Sequence, residues 1–285
     1  MWLVFLGFHL VGITGYNLLL RRSLLQKADP LTLATLMQTA VAVPLIFVMA
    51  FKPINLAAYD AKTLIYASGA IALAVVFNIT SVKALQYLEA SVYSVLFNLR
   101  IIITTILGII FVGEKLIPLQ ILGGLLIFLA VVSVRQKGSR QLTTLGLRWG
   151  IAAAIVISFL AAIEKILIRD VGYMQYAPLV MITSALVMWA MLAFRQQRLE
   201  LRSFATYEFS LMMVLRAVSA YGIQLALVVG TAVSLSVYIS SLSVILIVLL
   251  GIVLLGERNY LKQKIIATGL ATIGLTVILI AHSAH

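Results

Sequence analysis

Residues 91–120 read SVYSVLFNLR IIITTILGII FVGEKLIPLQ, and residues 234–263 read SLSVYISSLS VILIVLLGIV LLGERNYLKQ. At an offset of 143 they match Ser91 with Ser234, Leu99 with Leu242, Ile102 with Ile245 and Gln120 with Gln263. Leu107-Gly108-Ile109 falls on Leu250-Gly251-Ile252, and Gly113-Glu114 on Gly256-Glu257. Near the start of each half, Trp2 and Arg22 meet Trp149 and Arg169 at an offset of 147. Pro30 and Pro178 are each expected to open a second helix. The chain therefore reads as two related halves, residues 1–136 and 137–285, joined by the polar run Arg135–Arg140.

Of 285 residues, 63% are hydrophobic and 11% charged, and the mean hydropathy is +1.13. That composition excludes an ordinary soluble domain. A bilayer core about 30 Å thick takes about 20 apolar residues per helix. Ten such helices use about 200 residues and leave about 85 for nine connections and two ends. Apolar runs between charged or Pro/Gly-rich breaks place spans near 2–20, 31–51, 63–85, 90–112, 117–134, 147–168, 176–194, 209–229, 232–255 and 261–281. A barrel needs short alternating segments, which these are not, so the expected fold is all-α. The first span has no charge ahead of it and Arg21-Arg22 behind it, as expected of a retained helix rather than a signal peptide. Five spans per half is an odd number, so the second half must cross the membrane in the opposite sense. Inverted repeats of this kind place a binding site near the midplane between the halves.

The stretch Lys83-Ala-Leu-Gln-Tyr-Leu-Glu-Ala-Ser91, an apolar helix, then Gly113-Glu114-Lys115-Leu116 and a Gly-containing helix resembles the EamA-type repeat of the drug/metabolite transporter superfamily. Leu255-Gly256-Glu257-Arg258 closes a second copy. The resemblance implies a ten-helix carrier of small metabolites. Many members have a proline about fourteen residues before the Gly-Glu glutamate; Arg100 and Ser243 stand there in this chain. The superfamily's small four-helix multidrug exporters use a carboxylate in the first helix, where this chain has Thr14 and Ala161, so their cation/proton exchange is not implied.

The connections after spans 1, 3, 5, 7 and 9 hold thirteen basic residues: Arg21, Arg22, Lys27, Arg135, Lys137, Arg140, Arg148, Arg195, Arg198, Arg202, Arg258, Lys262 and Lys264. The even connections hold four: Lys52, Lys62, Lys115 and Arg169. The positive-inside rule puts the odd connections in the cytoplasm and both termini outside. The resemblance implies termini inside, so the two disagree. The net charge of +12 is then accounted for by cytoplasmic loops and anionic lipid, and no nucleic-acid partner is expected. There is no cysteine, and only three histidines, so no metal site or cofactor is expected. A multi-pass protein of the plasma (inner) membrane follows.

Ionisable groups at membrane depth cost several kcal/mol and require a partner or a cavity. Arg100 lies eleven residues from Glu89 and fourteen from Glu114, about 16–21 Å along a helix, too deep to snorkel. At about 100° per residue, Tyr93, Phe97, Arg100 and Thr104 share one face of the fourth span, and Ser91, Ser94, Asn98 and Thr105 the opposite one. The repeat carries Tyr93, Phe97 and Arg100 onto Ser236, Ser240 and Ser243, a single stripe of the ninth span. Matching stripes point to a shared cavity, although Ser and Thr stripes also serve helix packing. Asn78 and Ser81 map onto Tyr221 and Gln224, candidate hydrogen-bonding walls. Arg216, about 12 Å deep, serves either binding or structure. His9 and Asn17 are candidates to contact substrate or a coupling proton, or to bond across to a neighbouring helix. Lys83, Glu164 and Lys165 are expected to be solvated or ion-paired, and Glu114 and Glu257 to sit in structural turns. Gly123-Gly124 and the Gly146, Gly150, Ala154 series permit close helix contact.

The candidate substrate site is thus Arg100, Tyr93, Asn98, Asn78, Arg216, Tyr221, Gln224, Ser236, Ser240 and Ser243. The interior cations favour a small anionic or zwitterionic metabolite, because guanidinium pairs well with carboxylate and phosphate. Transport would be by alternating access without ATP, since no Gly-x-x-x-x-Gly-Lys-Ser/Thr loop is present. The alternatives are an exporter of amphipathic cations, walled by Tyr93, Phe97 and Tyr221, and a lipid-head-group flippase. No catalytic grouping is visible, so an enzyme is not expected.

Overall fold

The computed structural model describes residues 2–25, 29–51, 53–55, 59–112, 118–134, 144–195, 206–229, 240–257 and 261–283. Among the described residues every regular element is a helix: α1 Trp2–Leu25, α2 Pro30–Phe51, α3 Ala61–Tyr87, α4 Ala90–Phe97, α5 Leu99–Val112, α6 Pro118–Val134, α7 Thr144–Val171, α8 Tyr173–Phe194, α9 Tyr207–Val228, α10 Ser243–Leu254 and α11 Leu261–Ser283. Seven of these, α1, α2, α3, α7, α8, α9 and α11, are long and apolar enough to cross a membrane. Ala90–Thr104, Ile121–Ala130 and Ser243–Leu254 are shorter apolar stretches.

Helix starts follow local chemistry. Asp29 accepts from the Thr32 backbone N–H at 2.8 Å and from its hydroxyl at 2.9 Å, while Pro30 occupies the first helical position, where no N–H is needed. Asp60 caps α3 by accepting from Thr63 N at 2.7 Å. The Thr63 hydrogen bonds hold the Asp60 carboxyl below its ordinary value. The cap is therefore intact at neutral pH and is lost as pH falls through that lowered value. Pro178 differs from its expected role, because α8 begins at Tyr173 and Pro178 lies inside it. The start is set instead by Gly172, whose φ of 82° separates α7 from α8 in a single residue. Only glycine adopts that angle without strain.

Residues 90–112, expected as one helix, are two. The Asn98 N–H bonds Val95 O at 3.2 Å, and Ile101 N–H bonds Asn98 O at 3.0 Å. These three-residue spacings tighten the chain into a 3₁₀-like turn between α4 and α5. A second such turn precedes α10, where Ile245 N–H bonds Leu242 O at 3.1 Å. Leu99 and Leu242 are mates in the 143-residue register, so the two interruptions occupy equivalent sequence positions to within one residue.

The most extensive helix pairings are α1 with α9, α3 with α7, α6 with α11 and α2 with α8, and α4 also packs on α10. Small residues let these backbones approach. A Cβ on Gly12 would come within 2.6 Å of Ser219 N, and one on Gly222 within 2.7 Å of Phe5 O. Gly123 and Gly274 face each other in the same reciprocal way across α6 and α11, and Gly150 takes the Leu96 side chain. The glycines expected to permit close contact thus serve packing within the chain. The outer surface is apolar: Phe47, Phe51, Ile65, Phe194 and Val253 are each about 70–90% exposed, as lipid requires. Polar groups turn inward.

Several ion pairs gather at one end of the bundle. Arg22 pairs with Glu208 at 3.1 Å, and Arg195 with Asp29 at 4.0 Å. The Arg21 guanidinium donates to Leu85 O at 2.6 Å and Gln86 O at 3.0 Å. Lys264, expected among the loop charges, is instead almost fully buried in α11. It pairs with Glu89 and donates to Glu257 O at 2.7 Å. Glu257 does close a turn, with Leu255 N and Glu257 N both bonded to Gly251 O at 3.1 Å and Gly256 at a φ of 65°. Its carboxylate, however, caps α4, accepting from Ala90 N at 2.8 Å, Ser91 N at 3.1 Å and Ser91 Oγ at 2.5 Å. Negative charge there complements both the free N–H groups and the helix dipole. Glu114 lies outside the described residues.

Candidate substrate-binding cavity

The interruption at Asn98 lines a small cavity between α1, α3, α4, α5 and α10. Its walls are Ile13, Tyr16 and Asn17 of α1, Phe77 of α3, Tyr93, Ser94 and Phe97 of α4, then Asn98, Arg100 of α5, and Ser243, Val244 and Ile247 of α10. Four of the residues selected from sequence thus meet here: Arg100, Tyr93, Asn98 and Ser243. The two stripes of the fourth span, expected on opposite faces, both contribute. Tyr93 through Arg100 sweeps a single broad arc, and Ser91 leaves it to bind Glu257.

Among the described residues, Arg100 is the one charged side chain in this wall. Its guanidinium carbon stands 4.7 Å from the Phe97 ring centroid, a cation–π contact. Phe97 stacks on Tyr93 at 5.3 Å and on Phe77 at 5.9 Å. Arg100 Nε and Asn98 Nδ2 are buried and have no hydrogen-bond partner among the described residues. Buried donors of this kind are costly unless something accepts from them. Ser158 of α7 donates to Arg100 O at 3.1 Å and fixes the backbone behind the site. Arg216 lies over Tyr16 at 5.2 Å, and so stands behind one wall rather than in it.

The remaining selected residues hold helices together. Asn78 donates to Gln38 Oε1 at 3.0 Å, and Gln38 donates to Ser184 Oγ at 2.7 Å, which ties α3, α2 and α8. The Tyr221 hydroxyl donates to Val41 O at 2.5 Å, and Gln224 accepts from Tyr173. Ser240 Oγ lies 2.8 Å from His9 Nε2. Ser236 lies outside the described residues. Glu164, expected to be solvated or ion-paired, is half-buried and accepts from the Tyr176 hydroxyl. Lys83 stands over the Trp149 ring at 4.4 Å.

Sequence reasoning missed Tyr16 and Phe77. Tyr16 was within reach, since His9, Ile13, Tyr16 and Asn17 fall on one helical stripe. Phe77 carried no signal, being one aromatic in an apolar run.

A cysteine at Ser243 is expected to react with a small hydrophilic thiol reagent several times faster than one at Leu249, which is 55% exposed on the outer, apolar surface. A cysteine at Ser240, closed off against His9, should be slow. Equal rates at Ser243 and Leu249 would remove the argument for an aqueous cavity.

Apolar helices of membrane length around an interior polar cavity define an integral, multi-pass membrane protein. Residues 1–136 match the model of the EamA-like transporter family, a likeness that points to a membrane transporter. No curated protein matches the chain. A solved crystal structure, described only as that of a protein, is similar over 95% of this chain and 96% of its own, with a TM-score of 0.62 and 17% identity. That likeness concerns the fold alone.

Proposed function

We propose that the chain is a secondary carrier that moves a small anionic or zwitterionic metabolite by alternating access between halves 1–136 and 137–285, arranged as inverted five-helix repeats. The observation that carries the substrate class is Arg100: among the described residues it is a single cation in a wall without a carboxylate, with a buried Nε donor that a carboxylate or phosphate oxygen would satisfy. Asn98 Nδ2 offers a second donor at the same helix break, and discontinuous helices at mid-membrane are where carriers bind polar groups.

The helix pairings support the repeat. Exchanging the first five spans for the second five turns the α1–α9 pairing into α7–α3, and leaves α2–α8, α6–α11 and the fourth–ninth pairing as they are. The breaks near Asn98 and Leu242 exchange as well. Two stacked aromatics beside Tyr93 favour the amphipathic-cation alternative, but Arg100 already covers the Phe97 ring, and like charge repels a second cation.

Uptake into proteoliposomes of labelled L-glutamate, succinate and inorganic phosphate, beside tetraphenylphosphonium, tests the reading. Accumulation of the cation with none of the anions would overturn it. The same vesicles can be screened for ligands that raise apparent thermal stability.

The charge bias between the connections supports an orientation. With Lys264 buried, twelve of the thirteen basic residues remain against four in the even connections, a bias that favours both termini outside the cell. Ser139→Cys and Ala58→Cys, at positions outside the described residues, report the two faces without background because the chain has no cysteine. Ala58→Cys is expected to label from outside intact cells and Ser139→Cys to be protected; the reverse pattern would place the termini inside.

A further inference from the structure

We propose that His9 is a proton-binding site coupled to the charge at Arg100, so that a proton and an anion enter the protein together. Its meaning for transport rests on the anion-carrier reading, but its test does not. His9 is 5% exposed and ties three parts of the chain. Nδ1 stands 2.7 Å from Ser219 O and 3.2 Å from Ser219 Oγ on α9, and Nε2 stands 2.8 Å from Ser240 Oγ, just ahead of α10. A carbonyl only accepts, so Nδ1 carries the hydrogen of the neutral ring and Nε2 accepts from the Ser240 hydroxyl.

The partners therefore accommodate both charge states without moving a heavy atom. A proton adds to the Nε2 lone pair, the new N–H donates to Ser240 Oγ, and the hydroxyl rotates to accept. His9 is also next to the cavity. It lies one turn before Ile13 on the α1 stripe that continues through Tyr16 and Asn17 into the wall, about 6 Å along the helix.

The cations nearest the His9 stripe of α1 are Arg100, which shares the cavity wall with Ile13, and Arg216, which lies over Tyr16. Of the other helices on α1, α10 has no ionisable side chain, α4 contributes the uncharged Tyr93, and Lys83 of α3 is turned to Trp149. Glu208, at the far end of α9, is paired with Arg22. Like charge opposes protonation, and an anion held by Arg100 offsets it. By linkage the proton must strengthen anion binding by the same factor. Anion affinity is then expected to rise as pH falls through the His9 midpoint, and the rise to vanish in His9→Gln.

The test needs no substrate. With His282→Gln and His285→Gln the chain keeps one imidazole, whose protonation can be followed by ¹⁵N NMR of histidine-labelled protein in lipid. In that background Arg100→Gln is expected to raise the His9 midpoint by about one pH unit, tenfold in proton affinity, for the removal of one nearby like charge. Arg100→Lys, which keeps the charge, should leave the midpoint within a few tenths of the parent. If Arg100→Gln does not purify as a monodisperse protein, Arg100→Met, whose unbranched side chain can still lie over the Phe97 ring, provides the same neutral readout. A midpoint unchanged in the neutral variant overturns the inference, whether or not the carrier transports anions. A shifted midpoint in a chain that takes up no anion upholds the coupling and defeats the carrier reading instead.

Discussion

Arg100→Gln is expected to remove most uptake of the anionic substrate, lowering affinity about 10- to 150-fold, while the protein still inserts and folds. The magnitude is that of one charge-assisted hydrogen bond, about 1.5–3 kcal/mol, at about 1.4 kcal/mol per tenfold. Retention of folding follows from the surroundings. Arg100 makes no ion pair among the described residues, its Nε has no partner, and its guanidinium rests on Phe97. Removing it strands no buried carboxylate, unlike the breaking of a true buried pair. Arg100→Lys keeps the charge and the ring contact but not the forked donor geometry, and should fall between the two. Equilibrium binding to purified protein, with gel filtration for folding, separates the outcomes. Unimpaired affinity in a well-folded Arg100→Gln protein would remove Arg100 from the site, and aggregation would assign it a structural role.

Lys264→Met is expected to be the most destabilising single change, about 3–5 kcal/mol. Lys264 and Glu89 are both almost fully exposed to nothing but protein, and the ammonium also donates to Glu257 O. Without it, Glu89 keeps a buried charge that has lost its counter-ion. The damage should spread, because Glu257 holds the first turn of α4 through Ala90 and Ser91, and α4 carries Tyr93, Ser94 and Phe97 into the cavity. The double variant Glu89→Leu/Lys264→Met should recover most of the loss, since an apolar replacement of a buried pair is often neutral. Apparent melting temperatures of the two single variants and the double, in one detergent, form the cycle. Additive losses, or an unchanged Lys264→Met protein, would show that the pair is not coupled.

Seven of the ten expected spans were legible as helices of membrane length, because they rest on composition and length, which survive any arrangement of the bundle. Ends were less so. Asp29-Pro30 reads as a helix start in sequence and is one, whereas Pro178 reads the same way and lies inside α8. Gly172 takes precedence there, because one left-handed residue suffices to reverse the chain. The break at Asn98 had no signal: neither glycine nor proline marks it, and Asn98 itself is helical in its angles, φ −65° and ψ −13°.

Charge and depth in the sequence were enough to select Arg100, and helical spacing brought Tyr93 with it, because burying a guanidinium in a membrane is costly wherever its helix packs. The 143-residue register likewise pointed to Ser243. What tertiary structure alone decided is which polar groups remain free. Asn78, Tyr221, Gln224 and Ser240 each found a partner on another helix, while Arg100 Nε and Asn98 Nδ2 found none among the described residues. Glu257 and Ala90 are 167 residues apart, as Ser240 and His9 are 231 apart. Such pairings depend on helix rotation and depth, set by apolar side chains and glycines across the whole bundle, and no local pattern encodes them.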